Sequence, residues 1–324
     1  MTVHVTCFGG GHIDRKGQAL TDIRMRSSNP VRMTHSHGGV ARNVAENMSR
    51  LGAEIRLVTR LGRDADAGEV MARLDALGVE TDFITRSDDL GTASYTALLD
   101  EDGETVIGLA DMEIYDQLTP DSIGDAITRM RGSELWFADS NLPIETLEFI
   151  AANKPAGVML AVDAVSVAKA TKLRDHLDMI DILFCQQEEA ETLSGRMLQD
   201  DGDYEAAGLD LTTAPDGARK LVIARWMDGA FYAEQNGTMG HLQMPDAAVI
   251  DNTGYRDALI AATLLALVSG KPMAEAVEAG LAASAIAVEG LETCPPALSI
   301  DYLADRQQDP GGFDPIPLSE ARGS

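Results

Sequence analysis

Glu134-Leu-Trp-Phe137, Gly157-Val-Met-Leu-Ala-Val-Asp163 and Ile180-Asp-Ile-Leu-Phe184 are short apolar runs, and segments of helical character follow them from Ile144, near Leu173 and from Glu188. Short apolar runs alternating with helices predict parallel strands buried on both faces, the rhythm of an α/β sheet. Working outward, Lys220–Ala224 adds a strand, Gly229–Gly240 a hairpin, and about Asp257–Ser269 a helix. Upstream, Val3–Phe8 and Glu54–Thr59 read as strands. Val40–Leu51 and Asp66–Leu77 read as amphipathic helices stopped by Gly52 and Gly78. Two stretches break the rhythm. Residues 15–37 are polar, with short strands expected around Met25 and Met33, and residues 91–113 hold Asp100-Glu-Asp-Gly103 between two strand-like runs, a hairpin signal. Together they predict a small β-sheet lid on one α/β domain spanning residues 1–303. Residues 304–324, polar and proline-rich, read as a flexible C-terminal tail.

The 324 residues suffice for one large α/β domain, and 45% apolar with 24% charged residues is the balance of a soluble globular chain. No apolar run approaches the ~20 residues that span a bilayer, and Met1-Thr-Val-His-Val-Thr-Cys-Phe8 lacks the basic start of a signal peptide. A cytoplasmic protein is expected. Cys7, Cys185 and Cys294 are far apart and form no metal-binding pattern, so reduced, packed thiols are expected. The formal charge of −26 repels nucleic acids and anionic membranes, so neither is expected as a partner. Any phosphate site must then be locally positive or metal-assisted.

Three segments carry candidate chemistry. Open α/β sheets bind ligands beyond the carboxyl ends of their strands, and Gly9-Gly-Gly-His-Ile-Asp14 lies at such an end. Asp14 there is either an acceptor for sugar hydroxyls or a loop cap. Gly38-Gly-Val-Ala-Arg-Asn43 opens a helix, where paired glycines let a backbone approach a ligand or simply make a turn. Asp251-Asn-Thr-Gly-Tyr-Arg-Asp257 precedes another helix. Its free amides can hold developing negative charge and Asp257 can take a proton from a hydroxyl; an N-terminal Asp complementing the helix dipole is the plainer alternative.

Gly38-Gly39-x-x-x-Asn43-x-Ala45, with Arg50-Leu-Gly52, resembles the first signature of the ribokinase-type (PfkB) carbohydrate kinases. Thr253-Gly254-x-x-Asp257-Ala258 sits where their second signature falls. The resemblance covers residues 3–303 and is nearest to the pseudouridine kinases. It is carried there by Ser28-Asn29-Pro30, Ser94-Tyr95, Asp111-Met112, Ala138-Asp139 with Asn141, Val165-Ser166, Lys169, Lys172 and Glu189–Gly195. It implies a three-layer αβα fold with a mostly parallel sheet and a β lid. The activity it implies is transfer of the γ-phosphoryl group of ATP, with Mg2+ and in some members a monovalent cation, to a nucleoside or sugar hydroxyl. For pseudouridine this is the 5′-hydroxyl. Asp257 would be the base, and the amides of Gly254 to Asp257 the anion hole. Asp14, Gly38, Gly39 and Asn43 would hold the ribose, with Asp111 and Asn141 near the base moiety. Gln186, Asp228, Gly229, Thr253, Gly254 and Tyr255 would line the nucleotide, and Glu189 would order magnesium through water. Lid sheets of such kinases often pair into homodimers, which residues 15–37 and 91–113 allow.

The sequence departs from the family on the nucleotide side. Gly-Ala-Gly-Asp becomes Gly254-Tyr-Arg-Asp257, the Asn of Asn-x-x-Glu becomes Gln186, and a Gly-Gly-Asp-Gly turn becomes Trp226-Met-Asp-Gly229. His12 replaces the usual Asn before the sugar-binding Asp, and a structural role is expected for it. Arg256 either crowds the donor, under strain if its φ is positive, or points its guanidinium at the transferring group as a catalytic residue. Three readings follow: a nucleoside kinase, a weak or inactive nucleoside-binding protein with a lost ATP site, and a kinase for another ribose or ketose.

Overall fold

Alternating side chains of the central strands enter two separate cores. On Leu135–Asp139, Trp136 and Ala138 face one core while Leu135 and Phe137 face the other; on Met159–Asp163, Leu160 and Val162 oppose Ala161 in the same way. This follows from the two-residue period of a strand, and each fully buried large residue contributes roughly 1.5–3 kcal/mol. The first core lies under the helices Pro120–Arg129, Ile144–Asn153, Gln187–Ser194 and Asp201–Thr212. The second lies under Val40–Arg50, Ala65–Ala76, Tyr255–Val268 and Met273–Val288. The computed structural model, which describes residues 2–130, 132–213 and 216–308, is thus the expected helix–sheet–helix sandwich.

The eight-stranded sheet runs in the order Met239–Leu242, Ala230–Glu234, Lys220–Ala224, Ile182–Gln186, Met159–Asp163, Leu135–Asp139, His4–Phe8, Glu54–Val58. Only the hairpin at one edge is antiparallel. A separate four-stranded sheet, in the order Val31–Gly38, His12–Ala19, Ser94–Leu99, Thr105–Asp111, forms the lid. Among the described residues no helix is long and apolar enough to cross a membrane.

The structure corrects the sequence reading in three places. Met25 lies in an exposed turn, and the lid strand runs over His12–Ala19 instead. The reason is local: Asn29 accepts from the Arg24 amide at 2.7 Å and donates to the Arg24 carbonyl at 3.1 Å, closing residues 24–29 into a loop. The sixteen-residue helix Met273–Val288 carried no sequence signal because it is buried on nearly every side and shows no polar face. The helix Ile300–Gln308 overruns the expected domain end at 303: Arg306 is 3% exposed and donates to Glu289 at 2.9 Å, which anchors residues 304–308 to the body. The rest of the expected tail, residues 309–324, lies outside the described residues.

Candidate active site

The helix Tyr255–Val268 starts after Gly254, whose φ of 84° places it in the left-handed region. A side chain at Gly254 would overlap the Thr293 carbonyl, so the tight turn requires glycine. The first backbone bond of this helix runs from the Ala258 amide to the Gly254 carbonyl at 3.1 Å, and the amides ahead of it point out of the helix end. Asp257 sits in this first turn, 7% exposed, and accepts from Asn43 Nδ2 at 2.7 Å. Burial raises its pKa to about 6, although the Asn43 bond and the guanidinium groups of Arg256 and Arg42 favour the charged form. A carboxylate so poised is suited to accept a proton near neutral pH.

Asn43 is oriented by its neighbour. Arg42, 1% exposed, donates to Asn43 Oδ1, to the Gly38 carbonyl and to Glu46, which turns Nδ2 of Asn43 toward Asp257. The helix that carries both residues lacks a side-chain cap of its own. Its amide at Ala41 donates to Asp139 Oδ2 at 2.9 Å instead, and its amide at Arg42 to the Gly10 carbonyl at 3.0 Å. Asp139, wholly buried, also accepts from Gly10 N at 2.8 Å and Asn141 N at 3.0 Å. One carboxylate thus ties three loops together: Gly9–Asp14, Gly38–Asn43 and Asn141. Gly39, at φ 95°, has no room for a side chain against Gly10, and one at Gly38 would overlap the Asp14 carboxylate. His12 hydrogen-bonds with the Tyr115 hydroxyl through Nδ1 at 2.9 Å and places Nε2 3.2 Å from Asp14 Oδ1, the arrangement of a structural histidine.

The altered nucleotide-side residues meet one another. Gln186 Nε2 donates to the Tyr255 hydroxyl at 2.8 Å, and the Tyr255 ring packs edge-on against Trp226 at 4.7 Å between centroids and 74°. Trp226 adopts φ 53°, so the turn keeps a glycine-like conformation with a tryptophan in it. That costs about 1–2 kcal/mol, offset by a ring contact worth about 0.5–1.5 kcal/mol. Arg256 lies within the helix and outside the positive-φ region, so no backbone strain attaches to it. Its Nη atoms turn toward two carboxylates, while Nε has no hydrogen-bond partner among the described residues. Nη1 and Nη2 grip Glu189 at 3.0 and 2.8 Å, and Nη2 also bonds Asp163. Burial works against the Arg256 charge, but Asp163 and Glu189 outweigh it and raise the pKa further. Burial likewise pushes the Asp163 carboxyl up, to about 8, against the pull of Arg256. One guanidinium faces two buried carboxylates, and the charge of Glu189 adds to the upward push on Asp163.

Glu189, expected to order magnesium through water, is paired here with Arg256. Its Oε2 also accepts from the Gln186 amide at 2.8 Å, so both oxygens already accept from Arg256 and one of them from the backbone too. Among the described residues no group of three or more His, Cys, Asp or Glu could hold a metal ion. With Arg256 between them, Asp163 and Glu189 do not fit a divalent cation bound directly by both.

Of the other expected residues, Asn141 stands beside Gly10 and accepts from Lys169. Thr253 bonds Asp251 at 2.7 Å through its amide and accepts from the lid residue Lys16 at 3.2 Å. Asp111 lies exposed, opposite Ser94 and two strands from the strand of Asp14. Asp228 is exposed too, while Gly229, at φ 90°, has no room for a side chain against Leu242. Asp139, Asp163, Lys16 and Tyr115 were not picked out as site residues. An acid at the carboxyl end of a parallel strand was the available signal for the first two.

Residues 4–299 match the family described as pfkB family carbohydrate kinase. The chain is 31% identical to a pseudouridine kinase of Escherichia coli strain K12, covering 92% of this chain and 94% of that protein. Among solved structures, a carbohydrate kinase from Agrobacterium tumefaciens superposes with a TM-score of 0.79 at 32% identity, over 95% of this chain and 97% of that one. The Arabidopsis thaliana ribokinase complexed with ribose and ATP superposes with a TM-score of 0.81 at 20% identity, over 95% and 99%.

Proposed function

Because this chain belongs to the pfkB family of carbohydrate kinases, we propose that it transfers the γ-phosphoryl group of ATP to a nucleoside hydroxyl, the 5′-hydroxyl of pseudouridine. The observation that carries the reading is the Asn43–Asp257 pair: a buried carboxylate at a helix N-terminus, held by a residue of the glycine-paired loop. Asp257 takes the hydroxyl proton. The alkoxide oxygen bonds to the γ-phosphorus while the bond to the β-γ bridging oxygen breaks and ADP leaves. The amides of Gly254 to Asp257 stabilise the charge on the transferring group. Asp14, Gly38, Gly39 and Asn43 hold the ribose, and Asn141, with Lys169 beside it, meets the base; Asp111 lies on the lid. Gln186, Asp228, Gly229, Thr253 and Tyr255 line the donor side. ATP as donor is supported by the ribokinase solved with it, and pseudouridine by the E. coli relative. Magnesium enters as the counter-ion of the ATP phosphates. Three buried free cysteines fit the reducing cytoplasm.

The test is a panel of pseudouridine, uridine, inosine, ribose and fructose with ATP. A kcat/KM highest for pseudouridine supports the substrate, and turnover confined to ribose or fructose replaces it by a sugar. A second reading, a nucleoside-binding protein without a donor, is favoured by the side chains of Tyr255, Trp226 and Gln186 on the donor side. Nucleoside binding without turnover on the whole panel would select it. We further propose a homodimer through the lid, supported by the outer strand Thr105–Asp111. It is exposed along its length, with Val106 50%, Ile107 49% and Leu109 57% accessible.

A further inference from the structure

Arg256, Glu189 and Asp163 come from three different elements: a helix start, the first turn of the Gln187–Ser194 helix, and the end of the strand Met159–Asp163. Both carboxylates are almost inaccessible, with side chains 0% and 3% exposed, and the guanidinium is 11% exposed. Buried carboxylates need a positive partner, and here the chain supplies it. Arg256 is planar and presents a fork, which matches Glu189 bidentately and leaves an Nη2 bond for Asp163. We propose that Arg256 is a built-in counter-ion that takes the place of a divalent cation at Asp163 and Glu189, so that these carboxylates bind no metal while it is present.

Neighbouring residues fix the arginine in that position. Glu189 is itself held by the Gln186 amide, Gln186 by the Tyr255 hydroxyl, and Tyr255 by the Trp226 ring. The four residues that distinguish this donor side are therefore one connected structure, in which Arg256 supplies the charge and the other three supply rigidity. A cation bound directly by Glu189 would have to displace Arg256 from it and leave the guanidinium with Asp163 alone, which is unfavourable in a buried site. The inference concerns the resting site and holds whether or not phosphoryl transfer occurs, so its failure is separable from failure of the kinase reading.

The probe is Mn2+, followed by the paramagnetic resonance signal of the free ion during titration of the full chain without nucleotide. The native protein is expected to leave the free signal as in buffer. Arg256→Gly, and Arg256→Gln as the bulkier neutral replacement, are expected to remove free signal equivalent to one ion per chain. Adding Glu189→Gln to either is expected to restore it. A native chain that takes up one Mn2+, with uptake lost in Glu189→Gln, overturns the proposal without any arginine variant having to fold. So does a folded Arg256→Gln protein that takes up none.

Discussion

Held by Asn43 in a buried first turn, with its pKa raised to about 6, Asp257 is a carboxylate at pH 7 in surroundings that disfavour charge. Its folded pKa lies above that of the unfolded chain, so the folded state keeps a proton the unfolded state has lost between about pH 4 and 6. The stabilisation this gives is complete below about pH 4 and is lost as the pH rises through about 6. Activity runs the other way, since the base must be ionised: kcat is expected to fall below pH 6. Asp257→Asn should cut turnover by roughly 10²–10⁴-fold and, by removing a buried charge, raise stability at pH 7 by up to about 3 kcal/mol. A thermal melt and a turnover assay check both, and unchanged turnover would sink the base assignment. Gly38→Ala tests the ribose cradle. A methyl group there displaces the Asp14 carboxylate, so nucleoside Kd should rise while the fold melts near the native temperature. Identical nucleoside affinity would remove Asp14 from the pocket.

At the scale of elements, the proposed donor side is a helix start, a second helix start and a turn joined by Tyr255 and Arg256. Tyr255→Ala with Arg256→Gly empties that space and should raise ATP affinity in calorimetry; abolished ATP binding would show instead that the two side chains hold the donor. The central strands were legible because they are apolar runs with a two-residue period, and the Val40–Arg50 helix because one face is apolar. Met273–Val288 was illegible because burial on nearly all sides erases periodicity. The glycine-paired loop, Asp14 and Asp257 could be picked out from local pattern. The fate of Arg256 could not, since its partners lie 67 and 93 residues away and only the sheet brings them together. Whether it met a phosphate or a carboxylate was a question of tertiary placement.

For the whole molecule, a charge of −26 sets a field that opposes an anionic donor. Raising ionic strength from low salt should therefore lower the KM for ATP more than that for the nucleoside; equal effects on both would mean that the site is shielded from the surface field. If the lid pairs through its exposed outer strand as proposed, a dimer is expected in sedimentation velocity, with Ile107→Lys shifting it toward monomer. A native monomer at every concentration contradicts that assembly.

The most direct test of phosphoryl transfer by Asp257 is calorimetric titration of the native chain with MgATP, with and without pseudouridine, followed by mass spectrometry of the mixture and of the same mixture with Asp257→Asn. ATP binding with a phosphorylated nucleoside, made by the native protein and lost in the variant, is the predicted result. Nucleoside binding with neither ATP binding nor product would contradict it and leave a sugar pocket on a fold that has lost its phosphoryl donor.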